Sequence, residues 1–204
     1  YAAMDMSIFD DVDAIIYVGG LSPKLEGEEM RVNYKGFKGG DRTSIELPET
    51  QRQYIAELAK TGKPIIFVHL SGSAVALAPE AEICDAILQG WYAGQQGGTA
   101  IADVLFGDYN PAGRLPVTFY ASDADLPDFG DYDMPGHTYR YFQGKPLFPF
   151  GHGLSFSNFK YRRAKVKNDV LRIRVKNASR MDGDEVVQVY IRKADDVDGP
   201  IMSL

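Results

Sequence analysis

The chain has 204 residues, of which 45% are hydrophobic and 25% are charged, a balance typical of a folded globular protein rather than a disordered one. The net charge is −6 and no basic stripe is present, so nucleic acid is not an expected partner. No apolar run approaches the roughly 18 residues that a membrane helix requires, and no membrane partner is expected. A single cysteine, Cys84, excludes both an intramolecular disulfide and a thiolate metal cluster.

Two short apolar runs, Asp13–Gly20 ("DAIIYVGG") and Lys63–Gly72 ("KPIIFVHLSG"), predict strands. They are rich in Ile and Val and end at turn residues, a pattern typical of parallel strands buried on both faces. The segment between them, "LPETQRQYIAELAKTGKP", predicts a helix with Ile55, Leu58 and Ala59 on one face. The three elements together predict a β-loop-α-β unit with a long loop after its first strand.

The alternation of helices and strands continues downstream. "APEAEICDAILQGWYAG" begins as a helix, and its second half predicts a third strand. Gly97–Gly107 predicts a short helix, and "GRLPVTFY" predicts a further strand. The first part of the chain is therefore predicted to be an α/β domain, in which helices flank a mainly parallel sheet as a three-layer sandwich.

The last part of the chain is predicted to be all-β. The segment "FKYRRAKVKNDVLRIRVKNASRMDGDEVVQVYIRK" alternates apolar and polar residues and has turns at "KND" and "RMDGDE". It predicts three strands, the second and third around Val170–Val175 and Val186–Ile191, and these would open an immunoglobulin-like sandwich. Three strands cannot complete such a sandwich, and the sequence begins without an initiator Met, so we expect a piece of a longer protein. We place the domain boundary between residues 157 and 158, giving domains 1–157 and 158–204.

An acidic cluster, Glu26, Glu28 and Glu29, lies in the loop after the first strand, in "LEGEEMRVNYKGFKGGDRTS". Parallel α/β sheets bind ligands at the carboxyl ends of their strands, which is where this flexible loop begins. A carboxyl group held near other carboxylates has its protonated form favoured, as a general acid requires. Glycosidases pair such an acid with a second carboxylate. From composition alone, a solvated acidic loop is the open alternative.

Other possible active-site motifs are weak. "HLSGS" lacks the first glycine of a nucleophile elbow, and neither "GQQGG" nor "TGKP" is a phosphate-binding loop. His69, His137 and His152 are too far apart for metal-ligand spacing and are expected to be structural or exposed. No metal or cofactor is therefore predicted.

Two neighbouring pairs of residues receive structural interpretations. Asp41 and Arg42 are expected to form an ion pair that fixes the acidic loop. Trp91 and Tyr92 lie in an apolar run and are expected in the core rather than as platforms for a sugar.

Three long motifs carry a family resemblance: "LEGEEM…GGDRTSIELPETQ", "GWYAGQQGGTAIADVLFGDYNPAGRLPVTFY" and "TYRYFQGKPLFPFGHGLSFSNF". They resemble glycoside hydrolase family 3, in its second, α/β-sandwich domain and the start of the fibronectin type III-like domain that often follows. "LEGEEM", "GGDR" and "TYRYF" are more similar to the β-xylosidase branch than to the β-glucosidase branch.

The resemblance implies a retaining exo-glycosidase whose nucleophile is an Asp on a separate N-terminal (β/α)8 barrel. By motif position, Glu26 is the implied general acid/base and Glu28 the runner-up, because the E-x-E pattern allows two registers. Asp41 and Arg42 would brace the loop. The implied partners are an oligosaccharide and the barrel domain of the same protein, in a secreted or periplasmic enzyme. The chain by itself is expected to be inactive.

Two other functions stay open at this point. The chain could be a non-catalytic scaffold or sugar-binding module, in which the acidic loop only shapes specificity. A nucleotide-binding α/β protein is disfavoured because no phosphate loop is present.

Overall fold

A computed structural model describes residues 5–27 and 30–204 of the chain. The strands are β1 (Ile15–Gly20), β2 (Phe37–Lys38), β3 (Asp41–Arg42), β4 (Ile65–Leu70), β5 (Ala86–Gln89), β6 (Phe159–Lys167) and β7 (Val170–Asn177). The α-helices are α1 (Pro23–Glu26), α2 (Glu49–Ala59), α3 (Ala78–Ile83), α4 (Gly97–Phe106) and α5 (Thr138–Tyr141), and short 3-10 helices cover Met6–Phe9 and Asp123–Asp125.

The central sheet has the order β1–β4–β5, and both pairings are parallel. The pairing runs in register from Ile15 opposite Ile65 to Gly20 opposite Leu70, so β1 and β4 end at the same edge. The helix α2 connects these two strands, which confirms the predicted β-loop-α-β unit. The fold is α/β, with a parallel sheet flanked by helices and followed by antiparallel strands.

The core lies between the sheet and α2. Ile55 and Leu58 of α2 are 0% and 1% exposed, as their predicted shared face requires, and they pack with Phe67 and Ile65 of β4 respectively. Their burial removes apolar surface from water, at about 25 cal/mol per Å². This side of the sheet is therefore the hydrophobic centre of the α/β part.

The opposite face of β1 differs from the prediction of strands buried on both faces. Ile16 and Val18 are 47% and 59% exposed. Side chains alternate between the two faces of a strand, so these two residues share the face that points away from the core. Among the described residues, no helix covers this face of β1.

The prediction of a strand at "GRLPVTFY" is wrong. Only an isolated bridge between Phe119 and Phe148 forms there, together with a few separate backbone hydrogen bonds. Pro116 and Pro149 lie in the two facing segments, and neither has the N–H that a continuous ladder needs.

The strand predicted at Val186–Ile191 is also wrong, because this segment forms only a single bridge, from Ile191 to Ser203. The predicted strands around Val170–Val175 are confirmed as the β6–β7 hairpin, which turns at Asn168 and Asp169. Instead of joining that hairpin, the later segment turns its polar side chains toward the α/β part, and Gln188 donates to the Gly151 carbonyl at 2.8 Å.

Polar contacts cross the predicted boundary at residues 157 and 158. Arg114 pairs with Glu185 at 2.9 Å, and both side chains are largely buried, at 11% and 16% exposure. The Asn110 side chain is almost fully buried and bonds both Ser157 and the Asp182 carbonyl. The two-domain division stays a prediction, and these contacts tie the two sides together.

In the part of the chain that the structure describes, no helix combines the length and the apolar character needed to cross a bilayer.

Candidate active site at the carboxyl edge of the sheet

The segments that follow the three parallel strands converge on one carboxylate. Glu26 follows β1, Ser73 follows β4 and Tyr92 follows β5. Because parallel strands bring their carboxyl ends to one edge of a sheet, these three side chains can meet across 47 to 66 residues of sequence. Ligand sites of α/β proteins occur at this same edge.

Glu26 is the last residue of α1, a single helical turn with a cap at each end. The Ser22 hydroxyl accepts a hydrogen bond from the Leu25 amide at 3.1 Å, and Pro23 occupies the first helical position. Gly27 ends the turn in the left-handed region at φ 58°, and an added Cβ there would lie 2.1 Å from Val32 Cγ2. Leu25 packs against the hydrophobic core, so Glu26 is mounted on a defined turn rather than on the expected flexible loop.

The half-buried Glu26 carboxylate receives one close and one longer hydrogen bond. The Tyr92 hydroxyl donates to Oε2 at 2.8 Å, and the Ser73 hydroxyl donates to Oε1 at 3.3 Å. Burial, together with the hydrogen bond to Glu26 and its negative charge, raises the pKa of Tyr92 to about 12. Tyr92 therefore keeps its proton near neutral pH and remains a donor.

Arg42 lies behind this pair and connects the loop to the segment after β4. Its Nε donates to the Ser44 carbonyl at 3.1 Å, and its Nη1 donates to Ser73 Oγ at 2.9 Å and to the Ala74 carbonyl at 3.3 Å. Burial lowers the pKa of Arg42, while the negative charge of Glu26 acts in the opposite direction. Because Ser73 Oγ accepts from Arg42, its own proton points toward Glu26.

The ion pair expected between Asp41 and Arg42 does not form. Asp41 is exposed and pairs through its backbone with Lys38 in the β2–β3 hairpin. Adjacent residues of a strand point to opposite faces, so Arg42 turns inward while Asp41 turns to solvent. Loop bracing by both residues remains a prediction, and the contacts in the structure favour Arg42 for it.

Asp123 holds the far end of the same loop. Its carboxylate accepts from the Ser44 hydroxyl and from the Ile45 amide, both at 2.7 Å. The charge of Asp123 also acts on Arg42. The loop is thus fixed on both sides of its return to the sheet.

His69 and Ser71, from "HLSGS", are fully buried behind the site. Burial lowers the pKa of His69 to about 4, so the ring is neutral at neutral pH. Ser71 donates its hydroxyl proton to the Ser73 carbonyl at 2.8 Å, so it is not placed as an exposed nucleophile. Ser71 thus supports the turn that carries Ser73, while His69 forms a hydrogen bond with Gln89.

The described neighbours of Glu26 differ from those expected. The sequence emphasised nearby carboxylates, whereas the structure shows two hydroxyl donors and a cation beside Glu26. Glu28, the runner-up, lies outside the described residues, as does Glu29. Among residues 5–27 and 30–204, no group of three His, Cys, Asp or Glu side chains could hold a metal ion.

The sequence did not identify Tyr92 and Ser73 as residues of the site. Trp91 packs edge-on against buried Phe119, as expected of a core residue, but Tyr92 is 41% exposed and faces Glu26. Both residues lie three positions after the end of an observed strand, β4 for Ser73 and β5 for Tyr92. The predicted strands ran on to Gly72 and through Tyr92, so this position at the sheet edge was hidden.

This arrangement can hold a carboxyl group in one orientation at the rim of the sheet. Oε2 is bound by Tyr92, and Oε1 has only the longer contact with Ser73. A carboxyl group fixed in this way can give a proton to an adjacent oxygen atom and later take one back.

The chain was then compared with known protein families and solved structures. The family model described as "Glycosyl hydrolase family 3 C-terminal domain" matches residues 3–156. A xylan 1,4-β-xylosidase of Xylanibacter ruminicola is 55% identical over 199 residues, which cover 95% of this chain and 23% of that protein. A periplasmic β-glucosidase of Salmonella typhimurium is 37% identical over 76% of this chain and 23% of its own length.

Among solved structures, a β-glucosidase from Listeria innocua in complex with gluconolactone matches with a TM-score of 0.75 at 25% identity, covering 96% of this chain and 29% of that one. A family 3 exo-β-xylosidase bound to a xylobiose aziridine probe matches with a TM-score of 0.65 at 31% identity, covering 77% and 20%. The chain thus spans about a quarter of the length of the curated relatives it matches.

Proposed function

Because this chain belongs to glycosyl hydrolase family 3 and matches its C-terminal domain, we propose that it supplies the general acid/base of a retaining, exo-acting β-glycosidase. Glu26 is the proposed acid/base. In the parent enzyme it would act on a terminal β-linked sugar of an oligosaccharide.

The proposal rests on one observation, the way in which the structure holds the Glu26 carboxylate in position. Its carboxylate stands on a capped turn at the carboxyl edge of a parallel sheet, with Tyr92 and Ser73 as donors. Charged side chains on irregular solvated loops lack such fixed partners. A positioned carboxyl group is the feature that general acid/base catalysis requires.

The proposed reaction has two balanced steps. In the first, a carboxylate nucleophile bonds to the anomeric carbon, the glycosidic C–O bond breaks, and Glu26 gives its proton to the departing oxygen. In the second, Glu26 takes a proton from water, the water oxygen bonds to the anomeric carbon, and the nucleophile leaves. Glu26 ends protonated, ready for the next cycle.

The nucleophile is proposed to come from another domain of the parent protein, the N-terminal barrel that the family resemblance implies. Double displacement needs both carboxylates. We therefore expect the 204-residue chain by itself to show no turnover of an aryl xyloside.

A β-xylosidase is the first candidate activity, because the 55% identical relative is a xylan 1,4-β-xylosidase. A β-glucosidase is the second, since the relative from Salmonella typhimurium and several of the matching structures have that activity in their names. The ratio of kcat/KM for the p-nitrophenyl β-xyloside and β-glucoside of the parent enzyme decides between them.

The parent enzyme is further proposed to be secreted or periplasmic. The support is the family resemblance and the relative named as a periplasmic β-glucosidase. Fractionation of the source cells, followed by an activity assay of each fraction, tests this location.

The test of the acid/base uses the full-length parent enzyme with Glu26→Ala, Glu28→Ala and a control, Glu82→Ala, on the exposed side of α3. Each variant is assayed on phenyl β-xyloside, a poor leaving group, and on 2,4-dinitrophenyl β-xyloside, a good one. Loss of the acid should lower kcat/KM on the phenyl glycoside by about 100-fold or more and leave kcat/KM on the activated substrate nearly unchanged. The kcat on the activated substrate should fall, because the second step then lacks its base. Azide should restore turnover of the activated substrate by replacing water in the second step.

The outcomes separate the hypotheses. The full pattern in Glu26→Ala alone supports the proposal, and the same pattern in Glu28→Ala alone transfers the role to Glu28. If both variants change only KM, as expected of a specificity loop on a scaffold, the proposal is wrong.

A further inference from the structure

We infer that Tyr92 is the positioning residue of the acid/base, holding Glu26 Oε2 so that Oε1 is the oxygen that transfers the proton. The inference rests on the proposed function of Glu26. It assigns different roles to the two carboxylate oxygens and to a side chain from a different loop.

The first support is the asymmetry of the contacts of Glu26. Oε2 accepts a bond of 2.8 Å from the Tyr92 hydroxyl, whereas Oε1 has a 3.3 Å contact with Ser73. A bond of 2.8 Å is of normal length for an O–H donor and a carboxylate, while one of 3.3 Å is weak. Oε1 is therefore the less restrained oxygen and the one available to a leaving group.

The second support is the backbone that presents Tyr92. Trp91 has φ 52°, in the left-handed region that side chains other than glycine rarely adopt. Its ring packs against Phe119, which is only 2% exposed, at a centroid distance of 6.1 Å. Strain of this kind persists only where the surroundings impose it, and it is frequent at functional sites. Here it anchors one ring in the core and presents the next to Glu26.

The third support is the absence of space at Gly72. A Cβ added to this residue would lie 2.8 Å from Cε2 of Tyr92 and 3.2 Å from Oε2 of Glu26. The backbone of Gly72 thus passes directly beside the Tyr92–Glu26 contact. The segment after β4 therefore packs against the Tyr92–Glu26 contact and helps to keep the two side chains together.

The test is Tyr92→Phe in the full-length parent enzyme, with Tyr109→Phe as the matched control, since Tyr109 is also exposed, at 50%. We expect Tyr92→Phe to lower kcat/KM on phenyl β-xyloside by about 10-fold, and by less than about 2-fold on the dinitrophenyl substrate, as loss of one hydrogen bond to a charged group predicts. Gly72→Ala should show the same leaving-group pattern, because the added methyl group separates Tyr92 from Glu26.

The inference is overturned if Tyr92→Phe matches Tyr109→Phe in the leaving-group dependence of kcat/KM. Glu26→Ala, assayed in parallel, separates the two ideas. If Glu26→Ala shows the acid/base pattern while Tyr92→Phe behaves as the control, only the role of Tyr92 is wrong. If Glu26→Ala lacks the pattern, the assignment of Glu26 as the acid/base is wrong, and the role of Tyr92 fails with it.

Discussion

Arg42 provides the sharpest test of how the site is held together, through the change Arg42→Lys. The guanidinium of Arg42 makes three hydrogen bonds, to the Ser44 carbonyl, the Ser73 hydroxyl and the Ala74 carbonyl. A lysine ammonium is a compact point charge without the planar fork, and we expect it to keep one of the three. Two lost bonds at about 1 kcal/mol each destabilise the loop by about 2 kcal/mol.

The assay is hydrogen exchange with mass spectrometry on the full-length enzyme, because local opening governs exchange. Two amides close in sequence to the Arg42 partners Ser44 and Ala74 report directly on this opening. Ile45 donates to Asp123 at 2.7 Å, and Ala76 donates to the Ile45 carbonyl at 2.8 Å. A loss of 2 kcal/mol predicts about 30-fold faster exchange in the peptides that contain these amides.

The control is Arg172→Lys, at an exposed arginine of β7, which should leave exchange in both peptides unchanged. Peptides from β4 in the core should also be unaffected by Arg42→Lys. Exchange within about 3-fold of the wild-type rate at both reporter segments would refute the bracing role of Arg42.

Three further predictions concern stability, each measured by thermal unfolding of the parent enzyme. Ile55→Ala empties a fully buried site and should cost about 3 kcal/mol, whereas Glu57→Ala on the exposed side of the same helix should cost little. His69 binds its proton near pH 6.5 in the unfolded chain but only near pH 4 in the folded chain, so the free energy of unfolding should fall by about 3 kcal/mol as the pH drops between these values. His69→Gln should remove this pH dependence, and an unchanged slope in that variant contradicts the reasoning. Glu185→Ala leaves the largely buried Arg114 cation unpaired and should cost about 2 to 3 kcal/mol, most of which Arg114→Met should recover in the double variant.

The elements predicted correctly from the sequence are those with a local cause. The burial of Ile55 and Leu58 follows from helical spacing, and the runs that became β1 and β4 are short, apolar and bounded by turn residues. The hairpin of β6 and β7 follows from alternation around a turn. In each of these cases, neighbouring residues are enough to decide the structure.

The failures arose where distant groups compete for the same backbone. The segment at Val186–Ile191 alternates like a strand, but its polar side chains pair with the α/β part, and Arg114–Glu185 is an interaction across 71 residues. Likewise, the prolines at 116 and 149 reduce a predicted strand to one bridge with Phe148. Such outcomes depend on which segments meet, and a single sequence does not specify this.

The candidate site shows the same division. Glu26 was predicted through motif resemblance, and that role remains a prediction. Tyr92 was assigned to the core because it shares an apolar run with Trp91, yet the left-handed backbone of Trp91 sends the two rings in different directions. A local pattern of hydrophobicity does not reveal a change of backbone direction within it.

The capped turn that carries Glu26 also determines what can be transplanted between related enzymes. Leu25 lies in the same turn and packs into the core, so this packing fixes the position of the Glu26 carboxyl group relative to the interior of the domain. Grafting the acidic segment alone onto a homologue would transfer the carboxylates without the capped turn and the core packing that hold them in place. The smallest portable unit is Ser22–Gly27, carried together with a pocket that accepts Leu25.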